Sequence, residues 1–157
     1  MSYQDALTLL AGTVSGSTIT GQTATGTDTS VLSTNAIDLG AARDIGEGND
    51  DLYLRAFNTV AASGGTSVEF QAIASDAANG TGNVQVIATT GAIPVASVSL
   101  NSRFAARINP RMASKGQRYV TGRFVFVGAV AAGAYVMDLG EGIQDGQKFY
   151  PSGFTVK

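Results

Sequence analysis

Short runs in which apolar and polar side chains alternate recur along most of the chain, and this is the period of half-buried β-strands. In residues 52–60, Leu52, Leu54, Ala56 and Val60 share one parity while Tyr53, Arg55 and Thr59 share the other, with Phe57 as the exception. In residues 68–75, Val68, Phe70, Ala72 and Ala74 face one way and Glu69, Gln71 and Ser75 the other, interrupted by Ile73. Gly64 and Gly65 lie between the two runs and predict a hairpin turn. The stretch 33–70, STNAIDLGAARDIGEGNDDLYLRAFNTVAASGGTSVEF, therefore reads as an edge and hairpin of a β-sandwich.

Residues 118–127, RYVTGRFVFV, form the strongest strand, with Phe124, Val125, Phe126 and Val127 in unbroken succession. Such a run predicts a central strand covered on both faces. Residues 134–139, AYVMDL, read as its hairpin partner across the turn at 128–133. After a loop at 75–83 (SDAANGTGN), Val84, Val86 and Ala88 restart an alternating strand, and Thr90 and Gly91 give a turn before Ile93 and Pro94. A short strand is predicted at 95–100. In 103–109, Phe104, Ala106 and Ile108 alternate with Arg103, Ala105 and Arg107. Arg103 and Arg107 would also share a helix face, but Pro110 and the β-branched flank favour a strand. The segment 149–156, FYPSGFTV, brings aromatics that would anchor the end of the chain.

Near the start, Leu7, Leu9 and Leu10 form a brief apolar cluster compatible with a short helix or a first strand, and the strand is the favoured reading. Residues 13–34, TVSGSTITGQTATGTDTSVLST, offer mainly Val14, Ile19, Val31 and Leu32 for burial and read as an extended arm or long loop that takes its order from contacts. The chain thus divides into an N-terminal strand and arm at 1–34 and a sandwich at 35–157. About eight short strands joined by glycine-rich turns, with no long amphipathic helix, predict an all-β fold. The architecture expected is an antiparallel β-sandwich, with the jelly roll as the best match to the strand count.

Composition narrows the function more than the fold. A chain of 157 residues can bury roughly 70% of its unfolded surface, so one domain with a real core is expected. Only 14% of residues are charged, which lowers the desolvation cost of packing against a neighbouring protein. A net charge of −2 gives no electrostatic case for nucleic acid or an anionic membrane. The charges are segregated, however. No Asp or Glu occurs between Ala77 and Met137, where Arg103, Arg107, Arg111, Lys115, Arg118 and Arg123 all lie, and most acids fall between Asp28 and Asp76. Folding either interleaves the two groups or leaves a dipolar surface. No segment approaches the ~20 apolar residues of a membrane helix, and the start of the chain, MSYQDALTLLAG, lacks the features of a secretory signal.

The absence of cysteine excludes disulfides and thiolate metal sites. The absence of histidine removes Ser-His-Asp and Cys-His nucleophile systems and nearly all transition-metal sites. Carboxylates remain. Asp44, Glu47, Asp50 and Asp51 are close enough in sequence for a glycosidase-type acid/base pair or, with Asn49, a calcium loop. No tryptophan supplies a sugar platform, and the spacing lacks the alternate-position ligands of an EF-hand. Turn and capping acceptors are the favoured reading. The Gly-Glu-Gly triplets at 46–48 and 140–142 lack the context of a phosphate loop and read as turns. Tyr53, Tyr119 and Tyr150 beside arginines could stack single-stranded bases, but without a basic surplus core packing accounts for them better. The expectation is a protein that is not an enzyme, with no catalytic residue, cofactor or metal.

Taken in order, STNAIDLGAARDIGEGNDDLYL, GGTSVEFQ, TGAIP, QRYVTGRFVFVG and FYPSGFTV resemble the jelly-roll capsid cement (decoration) proteins of tailed bacteriophages. The likeness runs from about residue 33 to the end. It implies a non-enzymatic virion structural protein, made in the host cytoplasm and placed on the outer surface of the capsid. There it would bridge neighbouring major capsid protein subunits as a small homo-oligomer, a dimer or trimer, and stabilise the shell by avidity. Neither nucleic acid nor membrane is an expected partner. Candidate capsid or subunit contacts are Ser17, Ile19, Thr23 and Thr27 on the arm, and Arg103, Arg107, Arg111, Lys115 and Arg118 in the basic segment. The competing expectation is a carbohydrate-binding β-sandwich module of the phage adhesin or lectin-like kind.

Overall fold

The computed structural model describes residues 6–16, 18–41, 52–108 and 116–141. They form strands β1 (Leu9–Ala11), β2 (Thr13–Ser15), β3 (Thr18–Thr20), β4 (Gln22–Thr23), β5 (Gly26–Thr27), β6 (Ser30–Asp38) and β7 (Leu52–Gly64). These are followed by β8 (Ser67–Ser75), β9 (Gln85–Thr89), β10 (Ile93–Pro94), β11 (Arg103–Arg107), β12 (Tyr119–Val127) and β13 (Ala129–Glu141). Single 3-10 turns at Ala6–Thr8 and Val95–Ser97 complete the described structure.

All pairings are antiparallel. The first sheet has the order β1-β13-β7-β11, and the second runs β6-β12-β8 with β9 and β10 both on the free side of β8. Counting β1, β6, β7, β8, β9, β11, β12 and β13 as strands one to eight, the sheets read 1-8-3-6 and 2-7-4-5. That is jelly-roll topology, as the strand count predicts.

The turns are not the predicted hairpins. β7 and β8 lie in different sheets, and so do β12 and β13, so the chain crosses the sandwich at 64–66 and again at Gly128. Both strands of the predicted edge hairpin are interior: β7 sits between β13 and β11, and β8 between β12 and β9. Gly64, Gly65 and Gly128 all have positive φ, of 72°, 70° and 73°. The two corners pack together: a Cβ on Gly128 would lie 3.0 Å from the Gly65 Cα, and one on Gly65 would lie 2.5 Å from Val130 Cγ2. Glycine there permits both the φ and the close approach, a requirement that looks the same in sequence as a hairpin turn.

The inner faces hold the core. Phe70 and Phe124 are fully buried, and their ring centroids stand 6.0 Å apart. Tyr135 lies 5.4 Å from Phe70 and 5.2 Å from Phe124, and Phe104 stacks on Phe70 at 5.6 Å. β12 is central as expected, but only its inward side chains Val120, Phe124 and Phe126 are buried with Thr121 and Gly122, while Val127 is 45% exposed. Ile73, the interruption in β8, points outward yet is buried, because the loop after β8 lays Gly80 over it and over Leu32. Residues 95–100 do not form a strand. The chain turns after Pro94, and Val98 plugs the core while its carbonyl accepts from Ala62 N–H at 2.9 Å.

Tyr135 is buried with its hydroxyl in no hydrogen bond among the described residues. Gly133 makes room for it, since a Cβ there would stand 2.0 Å from the phenolic oxygen. Burial pushes the phenol from its ordinary 10 up to about 12. The folded protein therefore holds this proton longer than the unfolded chain does. The contribution to stability is full below pH 10 and is lost as pH rises through about 12. Tyr135→Phe is expected to flatten the fall in melting temperature over that alkaline range relative to the parent, with little change at pH 7. An identical alkaline slope in both proteins would contradict this.

The arm is built into the first sheet. β1 pairs with β13 at Asp138, β4 at Tyr135 and Ala134, and β5 at Val130 and Ala129. Together these pieces make one edge strand running antiparallel along β13, with the β2–β3 hairpin extruded from its middle. Gln22 ties this strand to the other sheet: its Nε2 donates to the Leu32 carbonyl at 3.0 Å, and its Oε1 accepts from Thr34 N–H at 2.8 Å. That carboxamide satisfies the outward backbone groups of β6 as a neighbouring strand would. β6 extends from Ser30 to Asp38 with a bulge against β12 at 33–35, so the end of the predicted arm belongs to the sandwich.

Candidate interaction surfaces

Partners placed opposite each other in an antiparallel pair share a face. Arg103, Ala105 and Arg107 of β11 stand opposite Phe57, Arg55 and Tyr53 of β7, which in turn stand opposite Val136, Asp138 and Gly140 of β13. The outer face of the first sheet therefore carries arginines interleaved with half-buried aromatics. Phe57 is no exception to the parity of β7, because it belongs to this face. The irregularity falls later: at a bulge near Thr59, Val60 becomes 50% exposed and Asn58 takes the buried place.

The charges of this face are not equivalent. Arg55 makes a bidentate pair with Asp138, at 2.8 Å from Nε and 2.6 Å from Nη2, and the carboxylate is buried. Arg103 holds its guanidinium over the Phe57 ring at 5.8 Å from the centroid. Arg103 and Arg107 are both exposed and stand at the two ends of β11, an edge strand among the described residues.

The other candidate contacts lie elsewhere. Thr23 and Thr27 are exposed on β4 and β5, and Ile19 is half-buried on β3 opposite Val14. Thr23 and Thr27 occupy the far edge of the first sheet, separated from β11 by β13 and β7, which is about 14 Å at ordinary strand spacing, and Ile19 lies on the β2–β3 hairpin extruded from that edge. Arg118 belongs to neither group. It stacks on Tyr119 at 5.2 Å and makes bonds of 2.7 and 2.6 Å to Asp38 at the end of β6. These bonds, with the Gly40 N–H, hold the Asp38 carboxyl down to about 2. Here the segregated charges do interleave. Ser17, Arg111 and Lys115 lie outside the described residues, as do Asp44, Glu47, Asp50 and Asp51, Pro110, and the segment 149–156.

On the second sheet, Thr89 and Gln71 donate to Glu69, and Arg123 Nε donates to Gln71 Oε1 at 2.7 Å. This ladder across β9, β8 and β12 spends its polar groups within the sheet. Among the described residues no group of His, Cys, Asp and Glu is arranged to hold a metal ion, and no helix is long and apolar enough to cross a membrane. The sequence pointed to Arg103 and Arg107 with Tyr53 beside them, and the register of β7 adds Arg55 and Phe57 to the same face. The signal was the odd parity of β7, obscured by treating Phe57 as misplaced.

Fold and surface together define an all-β jelly-roll protein whose distinctive features are an edge strand closed by an N-terminal insertion and a second edge flanked by arginines. The Bbp16 family model matches residues 19–139, and the chain belongs to the Bbp16 family. No curated protein matches it.

Proposed function

We propose that this protein is a non-enzymatic capsid cement protein of a tailed bacteriophage, bound to the outside of the head and bridging major capsid protein subunits. The observation that carries the reading is the asymmetry of the sandwich edges. One side is sealed by β1, β4, β5 and the Gln22 carboxamide, whereas β11 on the opposite side has no strand beyond it among the described residues. An element sealed on one side and open on the other is suited to attachment. Support also comes from the resemblance to capsid cement proteins, whose pieces within the described residues fall on β6, β7, β8, β10 and β12. The lectin-like alternative gains nothing from the geometry, because the Arg103 guanidinium occupies the face of Phe57 that a sugar ring would need.

The test is reconstitution on purified heads lacking the protein. Added back, it is expected to appear by electron microscopy as ordered density on the outer surface and to raise the temperature at which heads rupture. Unchanged rupture with no added density would sink the proposal.

A further inference from the structure

The inner face of the first sheet carries polar groups that the fold goes out of its way to keep there. Leu54 and Ala56 of β7 point inward and are buried, and the next inward residue is Asn58, 0% exposed. A regular strand would place both Asn58 and Val60 on this face. The bulge near Thr59 instead gives up the valine to solvent and keeps the amide. Hydrophobicity alone selects the reverse, and bulges re-aim side chains where a site needs them. Asn58 stands opposite Tyr135 of β13, which is also wholly buried, and residues directly opposite share a face.

The main chain of Asn58 is satisfied: its N–H donates to the Ser102 carbonyl at 3.2 Å, and its carbonyl accepts from Asn101 N–H at 3.0 Å. Its side chain is not. Neither Nδ2 nor Oδ1 has a hydrogen-bond partner among the described residues, and the Tyr135 hydroxyl has none either. Turning the amide over exchanges nitrogen for oxygen and gains nothing, since both atoms lack a partner. The hydroxyl is not free to swing, because its ring packs 5.4 Å from Phe70 and 5.2 Å from Phe124 and its oxygen lies over Gly133. Buried polar groups are almost always partnered, so the chemistry of the three atoms specifies what meets them. A cation would leave Nδ2 unmatched, and an anion would leave Oδ1 unmatched. A small neutral ligand that both donates and accepts suits all three in a close-packed interior. We propose that Asn58 and Tyr135 form an internal hydration site, with about two water molecules between the sheets. One accepts from Asn58 Nδ2, the other donates to Oδ1, and the pair reaches the Tyr135 hydroxyl. The bulge at Thr59 is the device that holds the amide in this site, whatever the outer faces bind.

The test uses the full chain. Oxygen-17 relaxation dispersion counts waters that stay inside longer than the protein takes to tumble, and water-selected Overhauser spectra locate them. The parent is expected to show cross-peaks from water to the Asn58 side-chain amide protons, with the sign of direct contact and not of exchange. Asn58→Leu, close in size but apolar, should lower the dispersion amplitude by about two waters, and Tyr135→Phe should lower it less. Equal amplitudes in the parent and Asn58→Leu, or an Asn58 amide with no contact to water, would overturn the proposal. So would a crystal structure in which Nδ2 and Oδ1 meet protein groups instead. The parent's spectra decide the question alone if either variant fails to fold.

Discussion

Phe70→Ala is expected to lower the unfolding free energy by about 3–5 kcal/mol. The side chain is wholly buried and meets Phe104, Phe124 and Tyr135, so it joins β8 to β11, β12 and β13 across both sheets. Truncation removes the ring's transfer free energy and leaves a cavity walled by rigid aromatics that cannot close in. A stability of 5–15 kcal/mol is typical of such a domain, so the loss takes a large share. Urea unfolding should show a lowered midpoint with an unchanged slope. The control is Val60→Ala on β7 of the facing sheet. That side chain is half exposed, and its loss should cost less than about 1 kcal/mol. A cost for Phe70→Ala no greater than the control's would mean the aromatic cluster does not join the sheets.

The hydrophobic pattern made the strands legible, and the inner residues Leu54, Ala56, Val68, Phe70 and Ala72 are those that alternation selects, whereas the unbroken apolar run of β12 concealed which of its side chains face inward. What alternation could not supply was the partner of each strand. Gly64-Gly65 and Gly128 are compatible with a hairpin or with a crossing between sheets, and only the long-range pairing of β7 with β13 and β8 with β12 decides between them. The arm was legible as a segment ordered by contacts but not as strands: β4 and β5, of two residues each, are too short to show a period, and they pair with β13, more than a hundred positions away in the chain. The arginine edge was half legible: the spacing of Arg103 and Arg107 fixed their shared face, but Phe57 and Arg55 joined it only through the register with β7.

Asp138→Ala is the second change expected to be severe, at about 3 kcal/mol. The carboxylate is 1% exposed and enclosed where β1 meets β13, with Leu9 as its partner in the ladder. Its charge is tolerated there because Arg55 approaches bidentately, the guanidinium lying where a Cβ on Gly140 would stand 2.3 Å from Cζ. Removing the acid strands a guanidinium whose side chain is only 18% exposed, and that uncompensated charge carries most of the cost. Arg55 retains some solvent, which places the effect at the lower end of the range for buried pairs. The double variant Arg55→Met with Asp138→Leu separates this account from simple loss of packing. Without a charge left to solvate, it should recover most of the stability lost in Asp138→Ala, although it replaces two residues instead of one. Chemical denaturation of the parent, Arg55→Met, Asp138→Leu and the double variant gives the coupling energy directly. If the double variant were as unstable as Asp138→Ala, the pair would matter through its shape and hydrogen bonds on the outer face, and charge compensation would be the wrong explanation for a buried aspartate beside the arginine edge.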